Sequence, residues 1–286
     1  MITRDVDASA VADLALTPPR TALAATVNDE IQLLPIGVSV ETPADPASSP
    51  RLVQVPADTP DLADRDVVVV ADDGPQWFRL RSLTVRGTAT ATGDRSYRVV
   101  PKRVVAWDYS SLRYVAPPPK AVHPRPSFSD AARHDVRPFS SSNLEAALST
   151  SRVMILATRS PKGTPFAVPL WFVPHHGRIY ATTAASSWTI HNVAASPQVA
   201  LLLGGEGERG HNTARLLVRG RAVALPGFPP PAVLARIAWR YYLEPPYAAV
   251  ELGHVRQWGL RMRYYTQSKP AYVVITPQSV TECSSP

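Results

Sequence analysis

Along most of the chain, apolar residues come in short runs separated by glycine, proline and small polar residues, the pattern of strands joined by tight turns. In the C-terminal half the runs are Val153 to Thr158, Thr164 to Val168, Arg178 to Thr183, Val199 to Leu203, Ala214 to Val223 and Ala271 to Ile275. Six short strands with few helices predict a closed barrel, because closure removes the edges that an open sheet exposes. Helical periodicity is confined to a few places. Asn143 to Ser149 reads as a short helix with Ser142 as its N-cap. Pro229 to Gln267 holds Val233, Ile237 and Tyr241 on one face, with prolines at its start suited to a first turn. Pro245 and Pro246 break this segment ahead of a second amphipathic helix, expected around Val250 to Tyr264.

The same pattern is written twice. Leu83-Thr-Val-Arg-Gly-Thr-Ala89 aligns with Leu216-Leu-Val-Arg-Gly-Arg-Ala222, Asp66 to Val70 with Gln198 to Leu202, and Ile31 to Ile36 with Pro165 to Leu170. These three pairs share an offset of about 133 residues. A fourth pair, Tyr97 to Pro101 with Tyr272 to Ile275 and Pro277 one residue late, needs an insertion of about 40 residues in the second copy. The organisation expected is a tail over 1–20, a degenerate barrel over 21–115, a proline-rich linker over 116–142 and a second barrel over 143–282. The helical insertion occupies 229–267. The expected fold is mainly β with a few helices: two tandem split β-barrels forming an intrachain pseudo-dimer.

Composition narrows the function classes. The chain has 286 residues, with 30 Lys and Arg against 23 Asp and Glu, a formal charge of +7 and a pI near 9.7. The arginines are scattered along strands, with no zinc-finger spacing, aromatic RNA-binding motif or basic helix, so nucleic acid is not expected as a partner. What remains is either the bias of an arginine-rich proteome or a phosphorylated small ligand. No apolar run is long enough to span a membrane, and the first residues lack a signal-peptide core. A single cysteine, Cys283, fits a reducing cytoplasm.

Gly163 to Phe172, Gly177 to Thr183, Ser187 to Val193 with Ser196 to Val199, and Val218-Arg-Gly220 together resemble the pyridoxamine 5′-phosphate oxidase-like, FMN-binding split barrels, which include flavin and deazaflavin oxidoreductases. The resemblance covers most of 143–282 and, more faintly, 21–115. It implies that Val168, Pro169, Leu170, Trp171 and Phe172 lie along an isoalloxazine ring, and that Thr182, Thr183, Ser186, Ser187, Trp188 and Thr189 surround a ribityl phosphate. It also implies a dimer with cofactor at the interface, here made covalent, so that one chain acts as a monomer, with further dimerisation left open. One departure stands out: Trp188 and Thr189 occupy positions where relatives carry an Arg-Lys pair, and His191 one where a further basic residue is usual. Arg178, Arg219 or Arg221, or Arg79 and Arg81 of the other barrel, are candidates to compensate.

From the residues alone, Trp171 and Phe172 read equally as a ring wall or as core aromatics. The Thr182 to Thr189 hydroxyls read equally as an anion cradle or as a capped polar loop. Gly205 to Gly210 spells G-x-G-x-x-G, but a strand follows rather than a helix, so a glycine-rich hairpin is expected. His175 and His176 are adjacent in a turn, and Glu251 with His254 lacks a second pair, so no metal site is expected. No catalytic residue is identifiable. Two functions follow: an FMN- or coenzyme F-420-dependent oxidoreductase acting on a small organic substrate by hydride transfer, or a non-catalytic binder of flavin, haem or a similar planar ligand. A protein-interaction barrel without a small ligand is the third reading.

Overall fold

A computed structural model describes residues 5–42, 49–74, 80–108, 127–129, 137–206, 212–259 and 269–283. The N-terminal half contains β1 (Asp5–Val6), α1 (Ala12–Leu16), β2 (Arg20–Val27), β3 (Glu30–Pro35), β4 (Gly37–Val40), β5 (Arg51–Gln54), β6 (Asp66–Asp73), β7 (Arg81–Gly93) and β8 (Ser96–Asp108). The C-terminal half contains α2 (Ser142–Thr150), β9 (Val153–Arg159), β10 (Pro165–Trp171), β11 (Val173–His175), β12 (Arg178–Ala184), α3 (Trp188–Ala195), β13 (Gln198–Glu206), β14 (Asn212–Pro226), α4 (Pro231–Ala238), α5 (Pro245–Gly253) and β15 (Pro270–Cys283). The protein is mainly β, as the turn-punctuated runs predict.

Both halves have one topology. The first sheet runs β3-β2-β6-β7-β8-β5-β4, with β1 beside β8, and the second runs β10-β9-β13-β14-β15-β12-β11. The outermost strands of each sheet are consecutive in the chain: Ile36 alone separates β3 from β4, and Phe172 alone separates β10 from β11. That continuity curls each sheet back on itself, giving a two-domain split barrel. Each path has seven strands rather than six, because the chain resumes pairing after the bend.

A shared irregularity marks the repeat. Gly87 faces Pro101, Gly220 faces Pro277, and each ladder slips register beside its glycine. A Cβ on Gly87 would stand 2.2 Å from the Val100 carbonyl oxygen, and one on Gly220 would stand 2.7 Å from that of Thr276. Only glycine admits this close backbone approach at a bulge. Because Pro101 and Pro277 hold equivalent positions, Tyr97 corresponds to Val273 and not to Tyr272. The sequence alignment was one residue out there. A one-residue slip changes the face of the sheet, and Tyr97 is indeed buried whereas Tyr272 is half-buried.

Alternation along the strands distributes side chains among three cores. Leu23, Ala25 and Val85 point into the N-terminal barrel, and Met154, Leu156 and Val218 into the C-terminal one. The residues between them, including Ala22, Ala24, Val68, Ile155, Ala157 and Ala200, form a third core where the outer faces of the barrels meet. Arg20 ties this seam together: its guanidinium grips Asp72 through two nitrogens and donates from Nη1 to the Val153 carbonyl oxygen at 2.7 Å.

Several local expectations change. The stretch expected as a tail over 1–20 is helical from Ala8 to Leu16, and Val11 and Leu14 are buried in the N-terminal core. The N-cap of α2 is Ser141, whose Oγ accepts from the Leu144 N–H at 3.3 Å, and the helix begins at Ser142. In the insertion, α4 ends in a π-helical turn over Trp239–Leu243, and α5 starts at Pro245 rather than near Val250. Proline at the first helical position starts a helix as readily as it stops one. Most of the proline-rich linker, the tip of the glycine-rich hairpin at 207–211 and the end of the insertion at 260–268 lie outside the described residues. No described helix is long and apolar enough to cross a membrane.

Candidate functional site

The residues singled out in the C-terminal barrel separate by strand alternation. Val168 and Leu170 are buried in the barrel interior, so their side chains are core rather than cleft. Pro169 is also buried, while Trp171 is half-buried. One face of Trp171 is covered: the Tyr241 ring stacks on it at 4.5 Å between centroids with planes 8° apart, and Tyr242 meets it edge-on at 6.2 Å. Tyr241 is there for a backbone reason. At the bend between β10 and β11, the Phe172 N–H donates to the Tyr241 hydroxyl at 2.9 Å, and the Phe172 and Arg152 carbonyl oxygens each lie 2.6 Å from it. In the first barrel the Ile36 carbonyl at the matching bend accepts instead from the Thr21 hydroxyl, at 2.5 Å. Burial pushes the Tyr241 phenol up to about 12.

The turn after β12 presents its polar groups unevenly. Thr182 is exposed, Ser186 and Ser187 are half-buried, and Thr189 is buried. The Ser187 Oγ caps α3 by accepting from the Ile190 N–H at 3.3 Å. Trp188 is 43% exposed and packs edge-on against His191 at 5.7 Å. Two groups here are buried without a hydrogen-bond partner among the described residues: Thr183 Oγ1 and His191 Nδ1. Native interiors rarely leave such atoms unmet, so each marks a place where another group is expected.

The N-terminal barrel brings to the seam further groups, beyond Arg79 and Arg81, that sequence reasoning missed. On β7, Leu83 and Val85 point inward, so Ser82, Thr84 and Arg86 point to the seam. Ser82 is fully buried, and its Oγ also lacks a partner among the described residues. Opposite it on β8 stands Trp107, which packs with Leu80 into the hydrophobic cluster of the C-terminal barrel. The signal was present in the alternation of β7, where three polar residues in succession take the face that a two-barrel molecule buries.

Of the cations considered as replacements for a basic pair, Arg81 is bound to Asp73 at 2.5 Å and to Asp13 at 2.9 Å, and Arg219 donates to Gln32 at 2.6 Å. Arg221 is exposed on β14, and Arg79 lies outside the described residues. The paired histidines sit in a hairpin turn with rings 4.0 Å apart. His175 is held below the usual imidazole value, chiefly by desolvation and then by His176 and Arg236. No group of three or more metal-ligating side chains occurs among the described residues.

Comparison with known proteins adds a family. The model for pyridoxamine 5′-phosphate oxidase matches residues 141–256. Similar solved structures include an F420 reductase (22% identity over 48% of this chain and 94% of that one, TM-score 0.35). They also include the haem storage protein of Vibrio cholerae (16%, 49% and 91%, TM-score 0.37) and an FAD-binding protein of Mesorhizobium loti (22%, 52% and 98%, TM-score 0.34). No curated protein matches the chain.

Proposed function

We propose that this chain, whose residues 141–256 match the model for pyridoxamine 5′-phosphate oxidase, is a member of that oxidase-like family and binds a flat, flavin-like cofactor at the seam between its barrels, FMN or the deazaflavin coenzyme F-420. The cofactor supplies hydride exchange with a small organic substrate. The observation that carries this reading is a pair of buried hydroxyls without partners among the described residues, Ser82 Oγ of the N-terminal barrel and Thr183 Oγ1 of the C-terminal barrel. Each offers one hydrogen to an acceptor on a bound ligand and one oxygen to a donor. Ser82 and Thr183 thus fix orientation, Trp107 and Trp171 bound the slot, and the packed barrels exclude water around it. Because both barrels lie in one chain, the seam needs no second copy, and a monomer in sedimentation is the expected state.

Titration of the purified full-length protein with FMN, F-420 and haemin, followed by fluorescence and absorbance, tests the proposal. Saturable binding of FMN or F-420 is expected, weakened roughly tenfold by Ser82→Ala and again by Thr183→Ala, the loss of about one hydrogen bond each. Binding that neither substitution weakens, or no binding of either flavin, overturns it. A second reading, a non-catalytic binder of haem or another planar ligand, is favoured by the Tyr241 ring already stacked on Trp171 and by the absence of a cation at Trp188 and Thr189. It predicts a Soret band on adding haemin and no hydride exchange by a bound flavin.

A further inference from the structure

The repeat makes each seam contact appear twice, and one pair of counterparts is unlike in charge. Arg86 and Arg219 are equivalent: each precedes the glycine at the register slip and reaches the other barrel, Arg86 at β10 and Arg219 at β3. Their targets are equivalent too, because Gln32 stands opposite Ala25 on β2 just as Phe166 stands opposite Thr158 on β9. Arg219 meets acceptors, Gln32 at 2.6 Å and the Glu30 carboxylate at 3.6 Å. Arg86 meets the Phe166 ring, with its guanidinium carbon 5.2 Å from the centroid. Thr164 stands where Glu30 stands in the other copy, so no carboxylate is present there.

A second cation sits across from the first. Arg103 lies directly opposite Arg86 in the β7–β8 ladder, where the other copy has Ser279 opposite Arg219. Like charges facing across an antiparallel pair repel. Among the described residues neither guanidinium has a hydrogen-bond acceptor or a carboxylate partner, and Arg86 Nε is buried with nothing to donate to. Desolvation pushes the Arg86 pKa below its usual value, and Arg103 pushes it further the same way. Among the described residues, Arg219 is met by acceptors, while Arg86 is half-buried beside the exposed Arg103 with no acceptor.

We infer that Arg86, over Phe166, and the exposed Arg103, directly opposite it in the β7–β8 ladder, form a binding site for the phosphate group of a small molecule. Two guanidinium forks side by side match the oxygens of a phosphate, and the Phe166 ring holds the Arg86 plane in place. The site goes beyond the cofactor reading and is independent of it: an anion alone should bind whether or not a flavin does.

Calorimetric titration of the intact protein with inorganic pyrophosphate, at fixed ionic strength, tests the inference, with succinate as the carboxylate arm. Pyrophosphate is expected to bind the wild type, to bind R86Q and R103Q roughly tenfold or more weakly, and to bind R219Q unchanged. Thermal melts separate this from a packing role. If the cations await an anion, R86Q in phosphate-free buffer is at least as stable as the wild type, and pyrophosphate raises the melting temperature of the wild type and of R219Q but not that of R86Q. The inference is overturned if R86Q and the wild type bind pyrophosphate equally, if neither binds it, if R219Q loses binding to the same degree, or if succinate binds as tightly as pyrophosphate.

Discussion

At the scale of single residues, Tyr241 shows how one side chain links an insertion to the barrel. Its hydroxyl serves both backbone groups of Phe172, which lie at a bend where no strand neighbour reaches them, and its ring covers Trp171. Tyr241→Phe keeps the ring and removes the hydroxyl. It is expected to cost about 1–3 kcal/mol in urea unfolding with an unchanged slope, because buried backbone groups lose their partner. The pH dependence has a defined sign. Burial raises the folded phenol from its ordinary 10.0 to about 12. The stabilisation from this group is therefore complete below pH 10 and is lost as pH climbs toward 12. Tyr241→Phe should remove that alkaline loss.

At the scale of elements, the glycine beside each bulge decides whether β7 can lie on β8 and β14 on β15. The clash on adding a methyl group is with backbone in both copies, and it is closer at Gly87 than at Gly220. Gly87→Ala should therefore destabilise by about 1–3 kcal/mol or more, and Gly220→Ala by less, in parallel denaturant titrations. The repeat motif Val-Arg-Gly was legible in the sequence because the bulge requires glycine there. The register of the last strand was not legible. Tyr97 and Tyr272 match as letters, but only the pairing of Pro101 with Gly87 and Pro277 with Gly220 shows that they face different sides. Helix ends were missed by one to several residues for a related reason: Ser141 and Ser142 are chemically equal candidates for a cap, and tertiary packing selects between them.

At the scale of the whole molecule, the outer faces of the barrels bury one another. Small residues such as Ala22, Ala24, Ala157 and Ala200 let the sheets approach. Arg20 adds a polar tie, joined to a carboxylate of its own barrel and a carbonyl of the other. Arg20→Gln strands the Asp72 carboxylate, which is only 2% exposed, at an expected cost of about 3–5 kcal/mol. Calorimetry should show both barrels melting earlier in one transition. Separate transitions, with only the N-terminal one shifted, would mean that the seam does not couple them.

The sequence by itself determined that the chain is two copies of one barrel. Strand periodicity and a glycine fixed by sterics are local properties, and they survive divergence in both halves. It also marked the turn from Thr182 to Thr189 as polar and helix-capping, since capping chemistry spans only a few residues. Which of those groups remain unsatisfied, which face of Trp171 is covered, and that Ser82 and Arg86 belong to the same seam were decided only by the tertiary structure. Those facts depend on what a second sheet, over a hundred residues away in the chain, lays against each atom, and no local pattern encodes that contact.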